Sequence, residues 1–139
     1  IEDPWSYDKM SWKAWASNAP LALDESLTTQ TLKNPQANAI IVKPMWFDIE
    51  EQPVKQRVVF TNAMDHPLGQ MVALYRAASY YKKYPKKMEV CGLRSWHLFE
   101  KTYWNDYRVD VEGAQIICAP GKGVGFYELV ESLSWKVMK

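Results

Sequence analysis

The sequence predicts an α+β fold, with a mainly antiparallel sheet of two hairpins covered by two or three helices in one domain, 1–139. Three observations predict it. Two apolar runs, Ala39–Ile49 and Val54–Thr61, flank a short turn at Glu50-Glu51-Gln52-Pro53. Tyr107, Val109 and Val111 alternate with Asp106, Arg108, Asp110 and Glu112, the period of a half-buried strand. Leu68, Met71, Val72, Tyr75 and Ala78 follow the 3.6-residue spacing of a helix packed on one side.

The elements follow in order. Asp3 can cap a helix, Pro4 suits its first position, and Trp5, Trp12 and Ala16 share a face with Trp15 beside it. This gives a helix over 4–17, within an N-terminal docking segment 1–19. Asn18-Ala19-Pro20 ends it. Residues 20–38 mix leucines with threonines and contain Asn34-Pro35, which reads as a connecting arm with one helical turn. Ala39–Ile49 reads as a strand; Pro44 removes a ladder donor and places it at an edge or bulge. Val54–Thr61 alternates and pairs with it as an antiparallel hairpin. Asp65 is the candidate cap and Pro67 the first turn of the second helix, which Pro85 stops near Tyr84. Met88–Leu93 reads as a strand broken at Gly92, and 94–104 fits strand or short helix. Glu112-Gly113 turns the chain into Ala114–Cys118, a second hairpin. Phe126, Leu129, Val130, Leu133 and Val137 predict a last helix over 126–138, where an alternating strand pattern also fits.

Composition sets bounds. Hydrophobic residues at 47% and charged residues at 24% exclude a disordered chain. Seven Trp and eight Tyr exceed ordinary usage, which favours large ring contacts in a core or an interface. No apolar run reaches the roughly 18–20 residues of a membrane-spanning helix. No signal-peptide pattern opens the chain, which does not begin with Met, so the compartment is left open. Cys91 and Cys118 are far apart and sit in apolar, strand-like context, which favours buried thiols over a disulfide.

The strongest functional signal is charge. Arg76, Lys82, Lys83, Lys86, Lys87 and Arg94 face one acid, Glu89, within a chain of net charge +1. Tyr75, Tyr80, Tyr81 and Tyr84 lie among them. Such a patch suits nucleic acid: Lys82, Lys83, Lys86 and Lys87 on phosphates, with Tyr80, Tyr81 or Tyr84 stacking on bases. The plainer reading is that lysines gather at a helix C-terminus because cations complement its dipole. Trp5, Trp12 and Trp15 form the candidate docking face for a protein partner or a second copy.

The remaining motifs point less sharply. Pro120-Gly121-Lys122-Gly123-Val124-Gly125 lacks both Walker A and dinucleotide-fingerprint spacing and reads as a turn. His66 and His97 would suffice for ribonuclease-type acid–base cleavage if the fold joined them. Cys91, Cys118, His66 and His97 lack zinc-ligand spacing, so neither metal nor cofactor is expected. Asp48, Glu50 and Glu51 read as a turn cluster. Asp106, Asp110 and Glu112 read as a solvated strand face with Arg108 between them. The expectation is a non-enzymatic assembly component that contacts nucleic acid or an acidic partner through its basic stretch. A small His-dependent nuclease and a purely structural subunit are the alternatives.

Overall fold

The computed structural model describes residues 1–33, 35–49, 54–64, 66–95, 98–100, 110–117, 124–125, 127 and 131–134. Among them a three-stranded sheet holds β1 (Ala22–Leu23), β2 (Ala39–Val42) and β3 (Arg57–Phe60), in the order β1-β2-β3. Both pairings are parallel. Ala22 lies opposite Ala39, and Ala39–Val42 run opposite Arg57–Phe60. Single parallel bridges extend the sheet at both edges: Glu2 with Ala22 on one side, Val58 with Met88 and Thr61 with Gly92 on the other.

This overturns the mainly antiparallel sheet of two hairpins. The runs expected to form the first hairpin instead lie side by side in the same direction. The reason is local. After Val42 the chain leaves the ladder in a turn, with the Lys43 carbonyl accepting from the N–H groups of Trp46 (2.8 Å) and Phe47 (2.9 Å). The rest of the predicted strand is therefore connection, and the chain returns to begin β3 beside the start of β2. Ile40, Ile41 and Val42 are all buried. Such an unbroken apolar run marks a strand covered on both faces, as in parallel sheets.

Three α-helices and a short 3₁₀ turn, Pro85–Lys87, have their bounds among the described residues. The first, α1 (Lys9–Ala16), starts later than 4–17, because Asp8, not Asp3, is its cap. Asp8 accepts from the Ser11 N–H at 2.8 Å. The predicted arm, 20–38, contains β1 and α2 (Thr29–Lys33). The longest helix, α3 (Pro67–Lys83), matches its predicted span, and His66 Nδ1 accepts from the Leu68 N–H at 3.4 Å. Its buried face is rotated from the expected one. Gln70, Ala73, Leu74, Ala77 and Tyr80 face inward, while Tyr75 and Ala78 are exposed. Small alanines let the helix approach the sheet closely, so the core selects for fit as well as hydrophobicity.

Leu23, Ile40, Val42, Val58 and Phe60 form the sheet's contribution to the core. Ala73, Leu74, Ala77 and Tyr80 of α3 and Trp12 of α1 close it. The second predicted hairpin is present as β4 (Asp110–Glu112) antiparallel to β5 (Gln115–Ile117). Gly113 turns it with φ +58°, a conformation that favours glycine. Most of 94–104 and of the predicted helix 126–138 lies outside the described residues. Among the described residues, no helix is long and apolar enough to cross a membrane.

Candidate functional site at the carboxyl ends of the parallel strands

Parallel strands bring their carboxyl ends to one edge, where open α/β sheets place their ligands. Here that edge carries Asp24 after β1, Lys43 after β2, and Thr61 and Asn62 after β3. Ser95 follows the segment bridged to β3 through Gly92. Lys43 Nζ meets Asp24 Oδ2 at 2.7 Å, and each side chain is only 17% exposed. The ammonium also stands over the Trp46 indole, 5.0 Å from its centroid. The Thr61 N–H donates to the Val42 carbonyl at 3.0 Å, which sets Thr61 beside Lys43 in register.

Supporting groups fix this edge. The Asp3 carboxylate accepts from the N–H groups of Asp24 (3.2 Å) and Ser26 (3.0 Å), clamping the loop that presents Asp24. Thr28 and Thr31 then cap each other at the start of α2. Asn62 Oδ1 accepts from the buried Ser95 hydroxyl (2.8 Å) and from the Met64 N–H (3.0 Å). Asp3 (φ 31°) and Met64 (φ 57°) are the non-glycine residues with positive φ among those described, and both lie at this edge. Such backbone strain tends to gather at functional sites.

Asp24, Glu25, Leu27, Thr28, Thr29, Ile41, Lys43, Trp46 and Phe47 bound a pocket of about 290 Å³ at the β1 and β2 ends. Three buried atoms on the same edge have no hydrogen-bond partner among the described residues: Asp24 Oδ1, Thr61 Oγ1 and Asn62 Nδ2. Buried polar atoms are nearly always satisfied, so these are open positions for a partner; Trp12 Nε1 and Asp48 Oδ1, elsewhere in the fold, are in the same state among the described residues. No three acidic, histidine or cysteine side chains cluster as metal ligands among the described residues.

None of the described residues singled out from sequence lines this pocket. Arg76 pairs with Asp48 at 2.6 Å. Tyr80 is buried, its ring against Phe60 (5.6 Å) and the half-buried Tyr84 (5.0 Å). Tyr81, Lys82, Lys83 and Lys86 are exposed, and Lys87 donates to the Lys55 carbonyl at 2.8 Å. Because α3 runs back along the sheet, these lysines sit at the amino-terminal edge, opposite the pocket. Arg94 is exposed beside Ser95 at the carboxyl edge, so the fold divides the basic stretch. Trp12 is fully buried; Trp5 packs edge-on to Trp12 (6.4 Å) and Trp15 (5.7 Å), and Trp15 is half exposed. His66 caps α3, whereas His97 and Cys118 lie outside the described residues. Cys91 is a free, half-buried thiol whose pKa is raised by burial.

Sequence reading missed Asp24, Lys43, Trp46, Thr61, Asn62 and Ser95. The available signal was position. Asp24 and Lys43 each directly follow a short apolar run, where parallel strands present functional side chains. Reading 20–38 as a connecting arm, and Ala39–Ile49 with Val54–Thr61 as an antiparallel hairpin, hid it.

No family model matches the chain. It is similar to o-succinylbenzoate synthase of Bdellovibrio bacteriovorus, with 25% identity over 147 residues. That match takes in all of this chain and 44% of the relative, so the chain spans less than half the length of the protein it resembles.

Proposed function

We propose that this chain supplies part of the site of an enzyme acting on a ring-bearing carboxylate, of the o-succinylbenzoate synthase type. The observation that carries the proposal is the Lys43–Asp24 pair at the ends of adjacent parallel strands, lining one pocket with Trp46 and Phe47. The relative's name gives the ligand class. An o-succinylbenzoate has two carboxylates, a ketone and one planar ring.

Each residue has a role that its geometry permits. Asp24 takes one direction of the Lys43 ammonium and fixes it; the remaining N–H groups can face the pocket. A fixed cation in a partly desolvated site stabilises negative charge that develops on a substrate oxygen, or holds a substrate carboxylate. Thr28 and Thr29 line the same pocket and offer hydroxyl donors to a second acidic group. This arrangement, with the similarity, favours an enzyme over the binding component expected from charge alone.

The test is calorimetric titration of the full-length protein with o-succinylbenzoate. Binding that weakens about tenfold or more in both Lys43→Met and Asp24→Asn supports the site. Absence of binding at millimolar ligand overturns it.

A second proposal rests on the exposed Tyr81, Lys82, Lys83 and Lys86 at the opposite edge, which suit nucleic acid or an acidic partner. Replacing Lys82, Lys83, Lys86 and Lys87 together weakens oligonucleotide binding and flattens its salt slope by about one unit per lost phosphate contact. Unchanged binding removes that role.

A further inference from the structure

We propose that Trp46 is the ring-binding wall of the pocket and the residue that makes it select planar carboxylates over open-chain ones. This rests on the reading of Lys43 and Asp24 as the carboxylate-handling pair. Three observations carry it.

First, the indole is placed there by the backbone. The Lys43 carbonyl accepts from both Trp46 N–H (2.8 Å) and Phe47 N–H (2.9 Å), so the chain folds back on the lysine it has just presented. The Trp46 ring therefore returns over its own turn's ammonium, 5.0 Å from its centroid. Second, Trp46 remains 65% exposed although it lines the pocket. Its neighbour Phe47 lines the same pocket but is packed partly against the core, so Trp46 is the more exposed of the two rings. A large exposed aromatic beside a cation fits a contact surface better than it fits a core. Third, the walls are chemically divided. Lys43 supplies positive charge, set against the carboxylates of Asp24 and Glu25, while Leu27, Ile41, Trp46 and Phe47 supply apolar surface. At about 290 Å³ the space lies near the lower end of small-molecule pockets, enough for one ring with its substituents.

The recognition follows from these parts. A carboxylate meets the Lys43 ammonium, and the ring it is attached to lies along the indole. An open-chain acid of equal charge gains the ionic contact and forfeits the aromatic one. Trp46 also attracts the ammonium through its π face, which adds to the hold of Asp24.

The experiment compares benzoate with propionate, and o-succinylbenzoate with succinate, by calorimetry on the full-length protein. Trp46 is surface-exposed, so Trp46→Ala and Trp46→Phe retain the fold, checked by circular dichroism. The wild type should prefer the ring-bearing acid of each pair. Trp46→Ala should reduce that preference about three- to tenfold, and Trp46→Phe should restore most of it. A preference that survives Trp46→Ala overturns the role of Trp46 and leaves the synthase-type reading intact if o-succinylbenzoate still binds. A Trp46-dependent preference for benzoate with no binding of o-succinylbenzoate keeps this role and removes that reading. A wild type that binds none of the four acids overturns both.

Discussion

Neutralising both members of the Lys43–Asp24 pair should cost less than the sum of neutralising each alone. The two groups meet at 2.7 Å and are each 17% exposed, so water screens them only in part. At an effective dielectric constant of about 20, opposite charges about 4 Å apart attract by ~4 kcal/mol. Desolvation cancels much of that gain, which leaves a coupling of ~1–3 kcal/mol, above the ~0–1 kcal/mol of an exposed pair. Lys43→Met leaves a half-enclosed carboxylate whose Oδ1 already lacks a hydrogen-bond partner among the described residues. The expected loss is about 2–4 kcal/mol. Asp24→Asn leaves the ammonium with the Trp46 face as its remaining partner in the pocket and should cost a similar amount. The double variant should cost less than the sum of the two single losses, by that coupling of ~1–3 kcal/mol. Urea unfolding of the four proteins at pH 7 measures this, read from midpoints where the denaturant slope is unchanged. Effects that add within about 0.5 kcal/mol would refute a coupled pair, and with it the claim that Asp24 fixes the lysine.

Phe60→Ala removes a fully buried ring that packs against Tyr80 at 5.6 Å, and should destabilise by about 3–5 kcal/mol in a thermal melt. An unchanged melting temperature would place that ring outside the core. Stability should also fall in alkali. Burial raises the pKa values of Tyr80 and Cys91, so both favour the folded state while neutral, and this contribution is complete below their ordinary values. It is lost as pH rises through the raised values, so melting temperature should drop from about pH 9 upward, less steeply in Tyr80→Phe. A flat profile to pH 11 would refute this. Finally, a Cβ at Gly92 would lie 3.2 Å from Thr61 Cγ2. Gly92→Ala should cost about 1 kcal/mol, and adding Thr61→Ser should relieve it. No relief in the double variant would mean that the strain lies elsewhere.

The sequence by itself determined the local elements. The 3.6-residue spacing and Pro85 located α3, and Glu112-Gly113 located the turn between β4 and β5. Both rest on interactions within a few residues, where spacing and backbone preference decide the outcome. Tertiary structure decided what spacing cannot encode. Whether β2 and β3 run parallel depends on the path between them, and two apolar runs look alike in either direction. The buried face of α3 was decided by how closely Ala73 and Ala77 let it approach the sheet, which moved Tyr75 outward and Tyr80 inward. The candidate site depends on the same choice. Asp24 and Lys43 are 19 residues apart and form no motif. They meet because parallel strands place successive carboxyl ends on one edge, whereas antiparallel neighbours would have sent them to opposite ends of the sheet.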